Sequence, residues 1–153
     1  MAQTTVDGID GVQSLVGQHL GYSDWVTITQ EQVNQFADAT GDHQWIHVDP
    51  ERAAKESPFG GPIAHGYLTL SLLPMLMPQI VEITGFKMGV NYGTDKVRFP
   101  SPVPVGSRVR AGATLDSAEP IDGGIAMAVT VTMEVEGGTK PAMVATSLSR
   151  RYL

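Results

Sequence analysis

The chain has 153 residues, no cysteine, and 10 basic against 16 acidic residues, which gives a formal net charge of −6. This length suits one domain with a substantial core. An acidic balance with no basic run longer than Arg150-Arg151 argues against nucleic acid or an anionic membrane as a partner. The longest largely apolar run, Tyr67 to Met77, is too short to span a bilayer, and the N-terminus lacks signal-peptide character. We expect a soluble cytoplasmic protein, with residues 1–153 as a single domain.

Residues 1–22 form an N-terminal extension before the first strand pattern. Apolar residues recur in it at helical spacing from Val12, which predicts a short amphipathic helix ending near Gly17 or Gly21. A short strand is expected over residues 24–28. The extension is therefore expected to be helical.

Two helices are predicted from their capping residues. Thr29 can cap a helix with Gln32 as its partner, and Gly41 ends that helix as a left-handed residue. Asp49 and Pro50 then provide the N-cap and first position of a second helix, which runs to about residue 56. The segment between these helices is expected to be irregular.

A strongly apolar helix is predicted from Gly66. The following residues carry no charge on any side, which is typical of a fully buried helix, and Pro74 and Pro78 must bend or end it. Four antiparallel strand segments follow, with an interruption near Gly93 that suggests a bulge. They are residues 86–92, 96–100 with its continuation, 108–117, and a hairpin over 124–150. The fold class is therefore α+β, with a sheet curled around a helix.

Two titratable side chains follow the helix that ends at Gly41. Asp42 and His47 lie five residues apart, and a carboxylate and an imidazole can handle protons on one water. Taken alone, each has an ordinary structural explanation, as a turn aspartate or a backbone-bonded histidine. His65 and Gly66 begin the apolar helix, whose first N–H groups lack helical partners, so Gly66 N–H can stabilise negative charge on a substrate oxygen.

The segments TGDHQWIH (40–47) and PIAHGYLTLSLL (62–73) resemble the signature of the (R)-specific enoyl-CoA hydratases, the MaoC-like dehydratases. VRFPSPVPVGSRV (97–109) is similar to that family's strand-turn-strand after the central helix. The resemblance implies a hot-dog fold whose partner subunit finishes each active site, and hence a homodimer. It also implies hydration of a trans-2-enoyl-CoA to a (3R)-hydroxyacyl-CoA without a cofactor.

The resemblance also assigns roles to particular residues. Asp42 and His47 are expected to be the acid/base pair, and Gly66 N–H the donor to the thioester oxygen. Gln44 stands where the family has Asn, and Trp45 where it has Pro. We expect Gln44 to contact substrate or support the site, and His65 to act as a structural hydrogen-bonding residue.

Rival functions are weighed on the same residues. Hot-dog thioesterases and acyl-carrier-protein dehydratases place a catalytic Asp or Glu on the central helix, and residues 67–81 contain neither. The alternative is a catalytically silent acyl-CoA-binding or partner subunit of a heteromeric acyl dehydratase, against which the intact Asp42 and His47 speak. The choice between CoA and carrier thioesters, and the choice of base within the pair, stay open.

Two further groups of residues have ordinary explanations. His43 and His47 are spaced i and i+4, but Gly41 and Pro50 leave little room for a helix that would let them share a metal, so none is expected. Four arginines could meet CoA phosphates, yet strand alternation favours the solvent face of a sheet for all of them. They are Arg108, Arg110, Arg150 and Arg151.

Overall fold

In the computed structural model, which describes residues 2–153, an antiparallel sheet wraps a pair of consecutive helices. The helices are α1 (Gly8–Gln13), α2 (Gln30–Thr40), α3 (Trp45–Val48), α4 (Pro50–Glu56), α5 (Gly66–Ser71) and α6 (Leu73–Ile80). The strands are β1 (Thr4–Asp7), β2 (His19–Tyr22), β3 (Val26–Thr27), β4 (Val81–Thr84), β5 (Met88–Arg98), β6 (Arg108–Ile121), β7 (Gly124–Val135) and β8 (Met143–Tyr152).

The large sheet has the order β2-β6-β7-β8-β5, and β3 also pairs with β6. All of its neighbours are antiparallel, whereas β1 and β4 form a separate parallel pair. The core lies between the inward face of this sheet and the apolar side of α5 and α6. The predicted α+β class and hot-dog arrangement are confirmed.

The two predicted helices form where their capping residues place them. The Thr29 side chain accepts a hydrogen bond from Gln32 N–H, and Gly41 ends α2 at a φ of 86°. Asp49 accepts from Arg52 N–H at the start of α4. These caps fix the two ends of the segment that carries the candidate site.

The apolar helix departs from the prediction of full burial. It breaks at Leu72 into α5 and α6, because Pro74 cannot donate a backbone hydrogen bond across the break, and Pro78 stays inside α6. One side packs on the sheet through Leu68, Leu76 and other core residues. The other side is open, and Tyr67 is 72% exposed. The uncharged sequence of this helix therefore does not correspond to burial on every side within one chain.

Two of the predicted strand segments form one strand in the structure. The segments 86–92 and 96–100 belong to the single long strand β5, whose register with β8 shifts between Asn91 and Gly93 and again between Asp95 and Arg98. The predicted bulge is therefore present, but it bends the strand without ending it. The last strand begins at Met143, after a loop that follows Gly137.

The N-terminal extension is only partly helical. Met1 lies outside the described residues, and α1 covers Gly8–Gln13 between two short strands. β-branched Thr4, Thr5 and Val6 favour a strand, and they pair with β4. The helical spacing after Val12 was therefore a misleading signal.

No helix among the described residues is long and apolar enough to cross a membrane.

Candidate active site

The segment after Gly41 turns back on itself and presents Asp42. The Asp42 carboxylate is exposed, and its Oδ1 accepts a hydrogen bond from Gln44 N–H at 3.3 Å. This is an Asx-type turn, in which an Asp side chain bonds its own backbone two residues on. The backbone carbonyl of Asp42 faces the other way and accepts from His65 Nε2 at 2.9 Å. Asp42 is thus anchored by its backbone while one carboxylate oxygen remains outside that turn bond.

His47 is buried and is held from two sides. It lies in α3, and its Nδ1 bonds Ile63 O at 2.7 Å, while Ile63 N–H donates to Ile46 O at 3.0 Å. The Gln30 Nε2 group donates to His47 O at 2.7 Å. Two elements distant in sequence therefore fix both the backbone and the ring of His47.

These contacts determine which ring nitrogen of His47 can act as a base. A carbonyl oxygen only accepts, so Nδ1 must carry the proton in the bond to Ile63 O. In the neutral ring, Nε2 then holds the lone pair. Burial lowers the pKa of His47 below its ordinary value of 6.5, and this outweighs the opposing bond to Ile63 O. His47 is accordingly biased towards a neutral ring with a basic Nε2.

His65 packs directly against His47. The two rings are stacked with centroids 4.0 Å apart, and Phe36 covers His65 from a ring distance of 4.8 Å. His65 is 2% exposed, and its Nε2 donates to Asp42 O. Its Nδ1 is buried without a partner among the described residues. His65 thus ties the loop of Asp42 to the start of α5.

Asp42, His47 and His65 converge in space. One candidate ligand atom from each lies within 4.8 Å of the others. A single water can bridge groups at this separation with two hydrogen bonds of about 2.8 Å each. A carboxylate oxygen of Asp42 and a ring nitrogen of His47 can both accept hydrogen bonds from one water, which is an arrangement for proton transfer. The same three residues are also the set that could hold a cation, and the absence of a resident metal stays a prediction.

Gly66 begins α5 immediately after His65, so its N–H is one of the first-turn groups without a helical partner. A Cβ at this position would meet the ring of Phe99 at 3.1–3.2 Å. An alanine at Gly66 would therefore require the Phe99 ring to shift by a few tenths of an ångström. The backbone at the start of α5 is closely covered from the side of β5.

Other predicted residues lie outside this cluster. His43 is exposed and pairs with Asp38 at 3.0 Å, and that hydrogen bond raises the pKa of His43. The Gln44 side chain is exposed, and only its backbone N–H contacts Asp42. The segment between Gly41 and Pro50 does form a helical turn, α3, but His43 precedes it. The pair at i and i+4 therefore does not converge.

The arginines divide between the two faces of the sheet. Arg108 pairs with Glu136, and Arg110 with Glu134 at 2.8 Å, as expected for solvent-facing positions. Arg150 lies over the Tyr92 ring at 3.9 Å. Arg151 points the other way and lines a cavity, so the solvent-face interpretation is wrong for this residue.

Sequence reasoning missed the residues that support the site from a distance. Gln30 is an unremarkable polar residue at the start of α2, and its bond to His47 O has no local sequence signal. Phe99 could have been found from the segment similar to the family's strand-turn-strand. Its side chain reaches Gly66, and a Cβ added there would contact it.

Comparison with known proteins places the chain in a family. The model of the MaoC like domain matches residues 11–137. The 3-hydroxyacyl-thioester dehydratase Z of Mycobacterium tuberculosis is 57% identical over 147 residues, covering 95% of this chain and 97% of that protein. Nodulation protein N of Rhizobium meliloti is 54% identical over 142 residues, covering 90% and 86% of the two chains.

A solved structure supports the same assignment. The (R)-hydratase from A. caviae involved in PHA biosynthesis is 27% identical, with a TM-score of 0.70 and coverage of 88% of this chain and 94% of that chain. The fold, the matched domain and these relatives agree on one family. The chain belongs to the MaoC-like dehydratase family and is a hydro-lyase.

Proposed function

We propose that the chain hydrates trans-2-enoyl-CoA reversibly to (3R)-hydroxyacyl-CoA, with Asp42 and His47 as its catalytic residues. The observation that carries this proposal is the convergence of the Asp42 carboxylate with His47, whose Nδ1 is already committed to Ile63 O. This leaves Nε2 as the available base. The named activities of the dehydratase Z and of the (R)-hydratase support the same reaction class.

In the hydration direction, one water lies between Asp42 and His47 and donates a hydrogen bond to each. His47 Nε2 takes one proton as the water oxygen bonds to the β carbon of the enoyl group. The electron pair of the double bond moves towards the α carbon and the thioester oxygen, which accepts a hydrogen bond from Gly66 N–H. A proton held by the pair then reaches the α carbon, and the product contains all the atoms of one water.

The magnitudes are sufficient for catalysis of this type. General acid/base assistance contributes roughly 10² to 10⁴ in rate, and one oxyanion donor roughly 10² to 10³. We propose no cofactor, because each step uses protons and electron pairs already present in water and substrate. Activity should accordingly survive dialysis against a chelator, and a loss that an added divalent ion reverses would assign the cluster to a metal.

The partner proposed for this chain is a second copy of itself. The open side of α5 and the exposed strand β5 leave apolar side chains uncovered, among them Tyr67, Met88 and Tyr92. An uncovered edge strand of this length is a site for pairing. A homodimer would cover both features next to the candidate site.

The test is hydration of trans-2-butenoyl-CoA, followed by loss of the enoyl absorbance and by chiral analysis of the product. We expect turnover by the chain alone and the 3R product. Formation of the 3S product would contradict the proposed geometry. Absence of turnover with both this substrate and its carrier-protein thioester would favour the silent partner subunit.

A further inference from the structure

A large cavity begins at Tyr67, the residue after Gly66, and extends along α5 and α6. It has a volume of about 1090 Å³ and lies between α5 and α6 on one side and β4, β5 and β8 on the other. On the helix side it is lined by Tyr67, Leu70, Pro74 and Met77. These lie about one turn apart along one face, and the first of them directly follows Gly66. The cavity is therefore continuous with the start of α5.

The sheet side of this cavity changes from apolar to polar along β8. Met143 and Ala145 face inward and are buried, and the same alternation then brings Ser147, Ser149 and Arg151 to the cavity wall. An inward face that becomes polar is unusual for a cavity that receives only a hydrocarbon chain. The polar end is therefore a feature that a plain alkyl ligand leaves unexplained.

Arg151 is the cation at that polar end. Its guanidinium crosses Gly89 on the neighbouring strand, where an added Cβ would lie 3.4 Å from Nη1. Its Nε is buried and has no hydrogen-bond partner among the described residues; the same is true of Arg150 Nε, but only Arg151 lines the cavity. Glu82 also lines the cavity, yet no salt bridge within residues 2–153 includes Arg151. Burial lowers the pKa of Arg151, but a guanidinium stays protonated in proteins.

An incompletely paired guanidinium beside apolar walls is costly to bury, and an anion placed against it would offset that cost. The planar fork of Arg matches a carboxylate, which it can bind through two parallel hydrogen bonds. Ser147 and Ser149 line the same wall and add hydroxyl groups that can donate to the same anion. The polar end therefore has the chemistry of a carboxylate site.

The two ends of the cavity lie towards opposite ends of β5. A Cβ added at Gly66 would touch Phe99, just beyond the end of this strand, whereas Arg151 pairs with Gly89 near its beginning. Only a long acyl chain can therefore reach from a thioester at Gly66 to Arg151.

We propose that this cavity selects long acyl thioesters that carry a carboxylate at the far end of the chain, and that Arg151 is the residue that binds this carboxylate. The inference rests on the proposed function, because the thioester is taken to lie at Gly66. It assigns a specificity-determining role to a residue at the far end of the cavity from Gly66.

The first test is a binding measurement with thioesters that cannot be hydrated. Hexadecanedioyl-CoA and hexadecanoyl-CoA differ at the distal carboxylate, and isothermal titration gives both affinities. We expect the wild-type chain to bind hexadecanedioyl-CoA at least about tenfold more tightly, as charge-assisted hydrogen bonds allow. Arg151→Gln should abolish this preference by weakening hexadecanedioyl-CoA alone.

Arg150→Gln is the matched control, because it removes the same charge from the adjacent residue on the opposite face of β8. It should retain the preference. Equal affinities in the wild-type chain, an equal loss for both ligands in Arg151→Gln, or the same loss in both variants would overturn the proposal. So would a change in molecular mass caused by Arg151→Gln alone, because that result would make Arg151 a subunit contact.

A second measurement separates this inference from the proposed function. The trans-2-enoyl forms of the same two thioesters are assayed for hydration, and Arg151→Gln should lower kcat/KM only for the form with the distal carboxylate. If neither is hydrated while the binding preference still depends on Arg151, the proposed function fails and the carboxylate site stands. If both are hydrated equally by the wild-type chain and by Arg151→Gln, the carboxylate site fails and the proposed function stands.

Discussion

His47 is a residue whose burial has consequences that can be measured in solution. Burial lowers the pKa of His47 below 6.5, so Nε2 stays deprotonated and basic to a lower pH than in an exposed histidine. The kcat/KM for enoyl hydration should therefore fall on the acidic side with an apparent pKa below 6.5. A profile of kcat/KM against pH measures this acidic limb. An acidic limb above 6.5 would show that the assigned base is not this buried ring.

The same shift makes the folded state sensitive to acid. Folded His47 binds a proton more weakly than unfolded His47, so its contribution to the free energy of unfolding is complete above pH 6.5. That contribution is lost as the pH falls from 6.5 through the lower pKa of the folded state. Denaturant titrations over this range should show less stability loss in His47→Asn than in the wild-type chain. Equal losses of unfolding free energy in the two proteins as the pH falls would contradict a lowered pKa of folded His47.

Gly66 can be tested only together with Phe99. Gly66→Ala should reduce kcat/KM by about tenfold or more if the thioester approaches the Cα closely. The added methyl would also press on Phe99, so a loss in this variant alone has two explanations. The double variant Gly66→Ala, Phe99→Leu relieves that contact, with Phe99→Leu as its control. Activity restored to the Phe99→Leu level would contradict close approach of the thioester to the Gly66 Cα, whereas a persistent loss with unchanged melting supports it.

At the scale of elements, helices with strong local signals were predictable. Thr29, Gly41 and Asp49 act through hydrogen bonds or backbone conformations set by their own residue type, and the structure uses all three. The turn α3 has no such signal, because its docking depends on Ile63, which is distant in sequence. The strand β1 has a local signal in its β-branched residues, but it was missed because its pairing partner β4 is distant in sequence.

The edge strand β5 leads to a prediction about assembly. Nearly all of its residues are exposed on one chain, and β5 pairs only with β8 among the described residues. We expect a mass of two chains by light scattering, and Tyr92→Asp on β5 should reduce it towards one chain. Tyr22→Asp on the opposite edge is the control, because Tyr22 is likewise exposed beneath an arginine. A wild-type monomer, or equal effects of both variants, would contradict pairing through β5.

At the scale of the whole molecule, sequence reasoning predicted the fold and brought together the residues of the candidate site, whose catalytic roles stay a proposal. It could do so because Asp42, His47, His65 and Gly66 lie in short motifs flanked by capping residues. It could not predict that Arg151 faces inward. Which residues of a strand face the core depends on bulges and on the register of the neighbouring strands. Nor could it find Gln30, whose contact with His47 crosses two elements.

The central claim is that Asp42 and His47 handle the protons of the reaction, and paired variants test it most directly. His47→Asn can keep a donor to Ile63 O while removing the basic Nε2, and Asp42→Asn keeps the size of the side chain. His43→Asn is the matched control, since His43 is exposed and bonded to Asp38.

The measurement is kcat/KM for hydration of trans-2-butenoyl-CoA, with the melting temperature of each variant recorded alongside. We expect a loss of at least about a hundredfold in His47→Asn and in Asp42→Asn, near wild-type activity in His43→Asn, and similar melting throughout. Near wild-type turnover in either His47→Asn or Asp42→Asn, with unchanged melting, would contradict the assignment of this pair.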